Sequence, residues 1–109
     1  MKVRISKQAQ AEIEKAAEWY EGQREGLGGK FVDRVKEAVG KIGDNPQGYA
    51  KAFRELRRCN LTKFPYALWF EIRPDKSLVV ACLHYRRDKV LVKERAAGVV
   101  EIPKPKRPV

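Results

Sequence analysis

The spacing of hydrophobic and polar positions changes twice along this chain. Val3 and Ile5 alternate with Lys2 and Arg4, the two-residue period of a short strand over residues 2 to 5. Ser6 follows as a helix N-cap, because its hydroxyl can accept an N–H from the first helical turn. From there Ala9, Ile13, Ala16, Ala17 and Tyr20 recur at three- and four-residue steps. That spacing stacks them on one helical face and turns Glu12, Lys15 and Glu18 away from it. Trp19 widens the apolar stripe. Gly26-Leu27-Gly28-Gly29 breaks the pattern with residues that tolerate positive φ, and Leu27, Phe31, Val35, Val39 and Ile42 restart it. The spacing therefore predicts a helical hairpin whose second helix ends at Gly43, with Asp44-Asn45-Pro46 enforcing the stop.

Beyond Pro46 the period falls to two. A strand is predicted from Phe53 to Leu61, with Arg57, Cys59 and Leu61 on one side and Arg58, Asn60 and Thr62 on the other. A second runs from Phe64 to Ile72, with Phe64, Tyr66, Leu68, Phe70 and Ile72 sharing a face and Pro65 at its entry. The turn Arg73 to Ser77 leads to a third strand, Leu78 to Tyr85, whose nearly unbroken apolar run marks a central strand covered on both faces. Asp88 caps a short helical turn from Leu91 to Arg95, and Val99, Val100 and Ile102 offer one extra edge strand. These elements add up to an α+β fold: an N-terminal strand and a two-helix hairpin packed on a three- to four-stranded antiparallel sheet. Residues 1–96 form the single domain and 97–109 a basic, proline-rich tail.

Composition narrows the class. At 109 residues the chain suits one hydrophobic core and is too short for two. No apolar run approaches the roughly 18 residues of a membrane span, and the amino terminus lacks a signal-like apolar stretch, so a cytoplasmic protein with no membrane partner is expected. Cys59 and Cys82 sit in apolar strand segments and read as structural thiols. His84 is the sole histidine, which leaves no metal-ligand spacing and implies no metal or cofactor. The formal charge of +10 points to an acidic partner, whether nucleic acid, ribosome, nucleic-acid enzyme or acidic protein segment.

The cations lie in three groups: Arg54, Arg57 and Arg58 on the first long strand, Lys63 before the second, and Arg86 and Arg87 after the third. In an antiparallel meander they can converge at one rim as a surface for phosphate or carboxylate, since guanidinium forks pair with both; a solvated sheet face is the plainer alternative. Metal-independent RNA cleavage needs a base, an acid and cations around the phosphorane. Arg57, His84, Arg86 and Arg87 are the one set here that can attempt it. A lone histidine at a strand end more often hydrogen-bonds a turn. Gly26 to Gly29 lacks the flanking strand and lysine of a phosphate loop and reads as a helix-helix turn. Trp19, Tyr20, Phe31, Phe64, Tyr66 and Phe70 read as core. Trp69 points away from the Phe64-to-Phe70 face, so the helices or a partner segment must cover it, which makes it a candidate contact for a partner protein.

Four stretches resemble the RelE/ParE superfamily of toxins from type II toxin-antitoxin pairs. They are Ala11-Glu12-Ile13 through Ala17-Glu18-Trp19-Tyr20, Gly26-Leu27-Gly28 with Phe31 after it, Ile42 to Pro46, and above all RRCNLTKFPYALWFEI followed by LHYRRDKVLVKER. An arginine, then Phe64-Pro65-Tyr66, then His84, Arg86 and Arg87 is most similar to the ParE, or plasmid-stabilisation, branch. The resemblance implies a cognate antitoxin, to which Trp69 is the candidate contact, and a toxin-antitoxin hetero-oligomer. In the ParE branch the implied target is DNA gyrase; in the RelE branch the toxin is a ribosome-dependent mRNA endonuclease. RelE-type catalysis places a tyrosine or histidine near the chain end, yet residues 88 to 109 contain neither. The reading therefore favours a toxin that acts by binding, with mRNA cleavage as the alternative and a non-toxic basic nucleic-acid-binding domain as a third.

Overall fold

A computed structural model describes residues 1–101. In chain order it runs β1 (Val3–Ile5), α1 (Lys7–Gln23), α2 (Leu27–Asp44), a 3-10 turn (Pro46–Gly48), β2 (Lys51–Phe53), β3 (Leu56–Asn60), β4 (Tyr66–Ile72), β5 (Ser77–His84) and α3 (Lys89–Glu101). The α+β class, the leading strand and the helical hairpin are as the spacing predicts. Ser6 caps α1 through its side chain, accepting from the Ala9 N–H at 3.1 Å. Gly26, at φ +87°, makes the left-handed turn into α2. Gly28 permits the two helices to approach, since a Cβ there would lie 2.6 Å from the Ala17 carbonyl oxygen. The turn is also tied electrostatically: the Glu21 carboxylate accepts the N–H groups of Gly26 and Gly28 at 3.0 and 2.9 Å, at the positive end of α2.

The sheet has five strands in the order β1-β5-β4-β3-β2. All neighbours are antiparallel except β1, which runs parallel to β5 with Val3, Arg4 and Ile5 opposite Ser77, Leu78 and Val79. The long strand expected from Phe53 to Leu61 is two strands, β2 and β3, joined at Arg54-Glu55 with Arg54 at φ +53°. An alternating apolar pattern continues through such a tight turn, which is why it was invisible as a break.

Three layers result. On one face the hairpin covers Cys59, Leu61, Tyr66, Leu68, Phe70, Val79 and Cys82, with Phe31 and Ile42 fully buried beneath it. On the other, α3 lays Val92 and Ala96 over Leu56, Ala67, Trp69, Val80, Ala81 and Leu83. Five consecutive residues of β4, Tyr66 to Phe70, are buried, as a strand covered on both sides requires. Between Trp69 and Phe70 the β4–β5 register shifts, pairing Trp69 with Ala81 and Phe70 with Val79. Val80 is the extra residue of this bulge, and Val80 and Ala81 consequently both contribute to the α3 side.

Helix α3 also corrects two expectations. It is a full helix where only a turn from Leu91 to Arg95 was predicted, and it carries Val99 and Val100 as helix rather than edge strand. It also runs past residue 97, the expected start of the tail; Ile102 and the rest of the tail lie outside the described residues. The Asp88 carbonyl accepts the N–H of Val92 at 3.1 Å, as an N-cap residue should. Its carboxylate turns backwards, accepting the His84 N–H at 3.1 Å. Among the described residues no helix is long and apolar enough to cross a membrane.

Candidate functional site

The cations singled out by sequence are divided between faces and ends of the sheet. Arg57 and Arg58 are consecutive in β3 and so project from opposite faces. Arg57 donates to the Tyr49 carbonyl, whereas Arg58 lies over the Tyr85 ring, 5.5 Å from its centroid. Arg54 sits in the β2–β3 turn with its guanidinium 5.5 Å from the Phe53 ring centroid. Lys63 occupies the β3–β4 turn at φ +70°. That turn and the segment after β5 adjoin, since the Tyr85 N–H donates to the Pro65 carbonyl. Lys63, Arg86 and Arg87 therefore share one end of the sheet, while Arg57, across from Phe70 and Val79, belongs to the other. The single cationic concavity is not formed.

What does converge is a smaller group. Arg87 donates from Nη2 to the Tyr66 hydroxyl at 3.0 Å, and its Nε lies 3.5 Å from an Asp88 carboxylate oxygen. The Tyr66 hydroxyl, and then Asp88, hold the Arg87 guanidinium even more firmly charged than usual. The Tyr66 and His84 rings meet edge to face at 5.5 Å. His84 Nδ1 accepts the backbone N–H groups of both Arg86 and Arg87, at 3.2 and 3.1 Å. The histidine thus builds the turn that aims Arg87. Tyr20 borders this group, packed on Tyr66 and Phe31, and burial raises its phenol pKa above the ordinary value.

Arg87 and Tyr66 open into a groove of about 570 Å³ between α1 and α3. Trp19 and Leu91 stand on its two walls, 58% and 42% exposed. Sequence reasoning placed Trp19 in the core; it lies instead at the rim of the apolar stripe, seven residues after Glu12 on the same flank of α1. Glu12, expected to face away, reaches the sheet. Its carboxylate accepts the Cys82 N–H at 3.0 Å and pairs with Arg95 at 2.8 Å. Arg95 in turn donates to the Val80 carbonyl at 2.6 Å. The signal for this site was the step Asp88, Leu91, Arg95, which aligns the residue before α3 with two on one face of it; Asp88 and Leu91 line the groove, and Arg95 reaches the strand. Trp69 is 3% exposed beneath α3, so the chain's own helix supplies the cover that sequence left open between helix and partner. Cys82 also lines the groove, but burial and the neighbouring Glu12 push its thiol up to about 12, away from nucleophilic use.

The family model described as the ParE toxin of type II toxin-antitoxin systems, parDE, matches residues 3–89. This chain belongs to the ParE toxin family. The match begins at β1 and ends at the first residue of α3, so it includes the Tyr66–His84–Arg87 group. Among solved structures the ParE-family chain is similar to one described as a chromosomal ParDE TA system from P. aeruginosa. The TM-score is 0.59 at 14% identity, over 77% of this chain and 95% of that one. That likeness supports the fold. No curated protein matches the chain significantly.

Proposed function

We propose that this ParE-family toxin acts by binding and inhibiting DNA gyrase in the cytoplasm and is neutralised by a cognate antitoxin in a hetero-oligomer. The observation that carries the choice of binding over cleavage is the engagement of His84. A general base needs a free lone pair within reach of its proton. At His84 the Nδ1 lone pair already accepts two backbone N–H groups, and Arg57, the other arginine a cleavage set would need, is bound to the Tyr49 carbonyl elsewhere. The exposed cations at the Lys63, Arg86 and Arg87 end then serve as a target-binding surface. Purified chain added to gyrase and relaxed plasmid should abolish supercoiling and accumulate cleaved DNA. Supercoiling unaffected at large molar excess would reject the gyrase assignment.

One arrangement favours a second reading, ribosome-dependent cleavage of mRNA. Tyr66, His84 and Arg87 stand together, and His84 Nε2 and the Tyr66 hydroxyl are groups able to move protons beside a cation. On that reading, primer extension on translated message shows cuts that vanish in Arg87→Ala or His84→Ala. Intact message during growth arrest excludes it.

A further inference from the structure

Helix α3 has two unlike flanks. Val92 and Ala96 face the sheet, and the helical period then puts Leu91 and Arg95 on one side of that line and Lys89 and Lys93 on the other. Arg95 reaches the Val80 carbonyl on the outer side of β5, which fixes the first flank toward β1 and α1. The lysine flank is therefore turned the opposite way, toward β3. Both lysines are exposed.

Two arginines stand on the same face of the sheet. Arg58 lies opposite Trp69 in the β3–β4 ladder and so shares the side that α3 covers. Its guanidinium lies over the Tyr85 ring and that of Arg54 over the Phe53 ring, each 5.5 Å from the centroid. Both rings pack on the core beneath α3, and both arginines are exposed above them. Among the described residues none of Arg54, Arg58, Lys89 and Lys93 takes part in an ion pair. Glu71 shares this face but is held by Arg73 at 2.6 Å, and Glu94 lies nearly opposite Val92 around α3. The α1–α3 groove, by contrast, is lined by Glu12, Glu18 and Asp88. The fold thus sorts its carboxylates to one flank of α3 and leaves unpaired cations on the other.

We propose that the surface between β3 and the lysine flank of α3 holds the phosphate backbone of duplex DNA, through Arg58, Lys89 and Lys93 with Arg54 further along. Phosphate contact needs only cations, and the net charge of +10 draws a polyanion toward them. An acidic protein segment would need an apolar anchor as well. This surface offers none: Trp19 and Leu91 lie at the groove, and Val90 is on the outward side of α3. Unpaired bases would need a bare aromatic face to stack on, and the guanidiniums already cover Phe53 and Tyr85. A duplex, which keeps its bases inside and its phosphates outside, is the form that fits. The surface goes beyond the gyrase reading and does not depend on it.

The test is fluorescence anisotropy of a labelled duplex of arbitrary sequence, titrated with the purified full chain over a series of salt concentrations. Binding should be independent of sequence, with a slope of log affinity against log salt of roughly −3, as three to four phosphate contacts give. Arg58→Gln combined with Lys93→Gln should weaken binding about tenfold and bring the slope to roughly −1. Lys30→Gln combined with Lys36→Gln, two exposed lysines of α2, removes the same charge and should stay within about twofold of the parent. Arg58→Lys keeps the cation and should keep the slope, which separates charge from any loss of cover over Tyr85. Undetectable binding overturns the proposal. So does an equal loss in the α2 variant, which would leave only net charge. A single strand of equal length, or a polyglutamate peptide, bound more tightly than the duplex overturns it as well. The assay contains no gyrase, so a chain that binds the duplex but leaves supercoiling intact keeps this surface and loses the gyrase target, and the reverse result does the opposite.

Discussion

Glu12 on α1 and Arg95 on α3, 83 positions apart in the chain, meet at 2.8 Å across the free edge of β5. Each also binds the strand itself, Glu12 at the Cys82 N–H and Arg95 at the Val80 carbonyl. An ion pair at a surface contributes little, but this one also satisfies a sheet edge that β1 is too short to cover. The two side chains are only 19% and 15% exposed, so removing either leaves a partly desolvated charge and an unpaired backbone group.

The consequence is a measurable coupling between α1 and α3. Arg95→Met should destabilise the fold by about 2 kcal/mol in urea unfolding. A double-mutant cycle with Glu12→Gln should return a coupling of about 1 to 2 kcal/mol, because the pair acts as a unit. Additive losses would mean that the two residues act on the strand independently.

Gly28 tests the packing of the hairpin. Gly28→Ala places a Cβ 2.6 Å from the Ala17 carbonyl, a backbone atom that cannot rotate aside. A loss of about 1 to 3 kcal/mol is expected from such overpacking. Gly29→Ala, with nothing within 4 Å and a helical position, should be neutral or stabilise by up to about 1 kcal/mol. Thermal melts of the two variants should shift in opposite directions or by clearly unequal amounts.

Glu21 predicts part of the acid response. The Gly26 and Gly28 N–H groups hold its carboxyl below the ordinary value of 4.5 in the folded state. Its contribution is therefore complete above that ordinary value and is lost as pH falls through the lower folded value. Glu21→Gln should flatten the decline of the urea midpoint below pH 4.5 and lower stability at neutral pH. An unchanged acid slope would show that other carboxylates account for it.

Arg87 and Tyr66 separate stability from activity. Tyr66→Phe keeps the buried ring and removes only the hydroxyl partner of Arg87, so stability should change by no more than about 1 kcal/mol. Colony counts after induced expression should recover fully with Arg87→Ala and partly with Tyr66→Phe, because the second frees the guanidinium without removing it. Equal toxicity in all three proteins would exclude this arginine from the target surface.

Local periodicity was enough for most of the scaffold. The Ser6 cap, the Gly26 turn, the Pro46 stop and the apolar faces of α1, α2, β4 and β5 are decided by neighbours within a turn or two, and such signals are written in adjacent residues. The order Phe64-Pro65-Tyr66, His84, Arg86, Arg87 likewise carried the family. The site was less legible. Sequence named Arg87 and His84 but joined them to Arg54, Arg57 and Arg58, whose positions depend on the β2–β3 turn and on which face each residue takes. It also counted Trp19 as core and Glu12 as solvated, because a helical wheel shows a stripe but not what is packed against each side of it.

Only the tertiary structure decided where the open surface lies. The parallel pairing of β1, the bulge at Val80 and the docking of α3 over Trp69 each depend on contacts between elements distant in sequence, where loop closure and packing compete with no local record. Together they leave the β5 edge without a strand partner beyond Val79, where side chains from α1 and α3 bind it instead. The composition set the excess of positive charge, and the fold decided that Arg87 stands at a groove between α1 and α3.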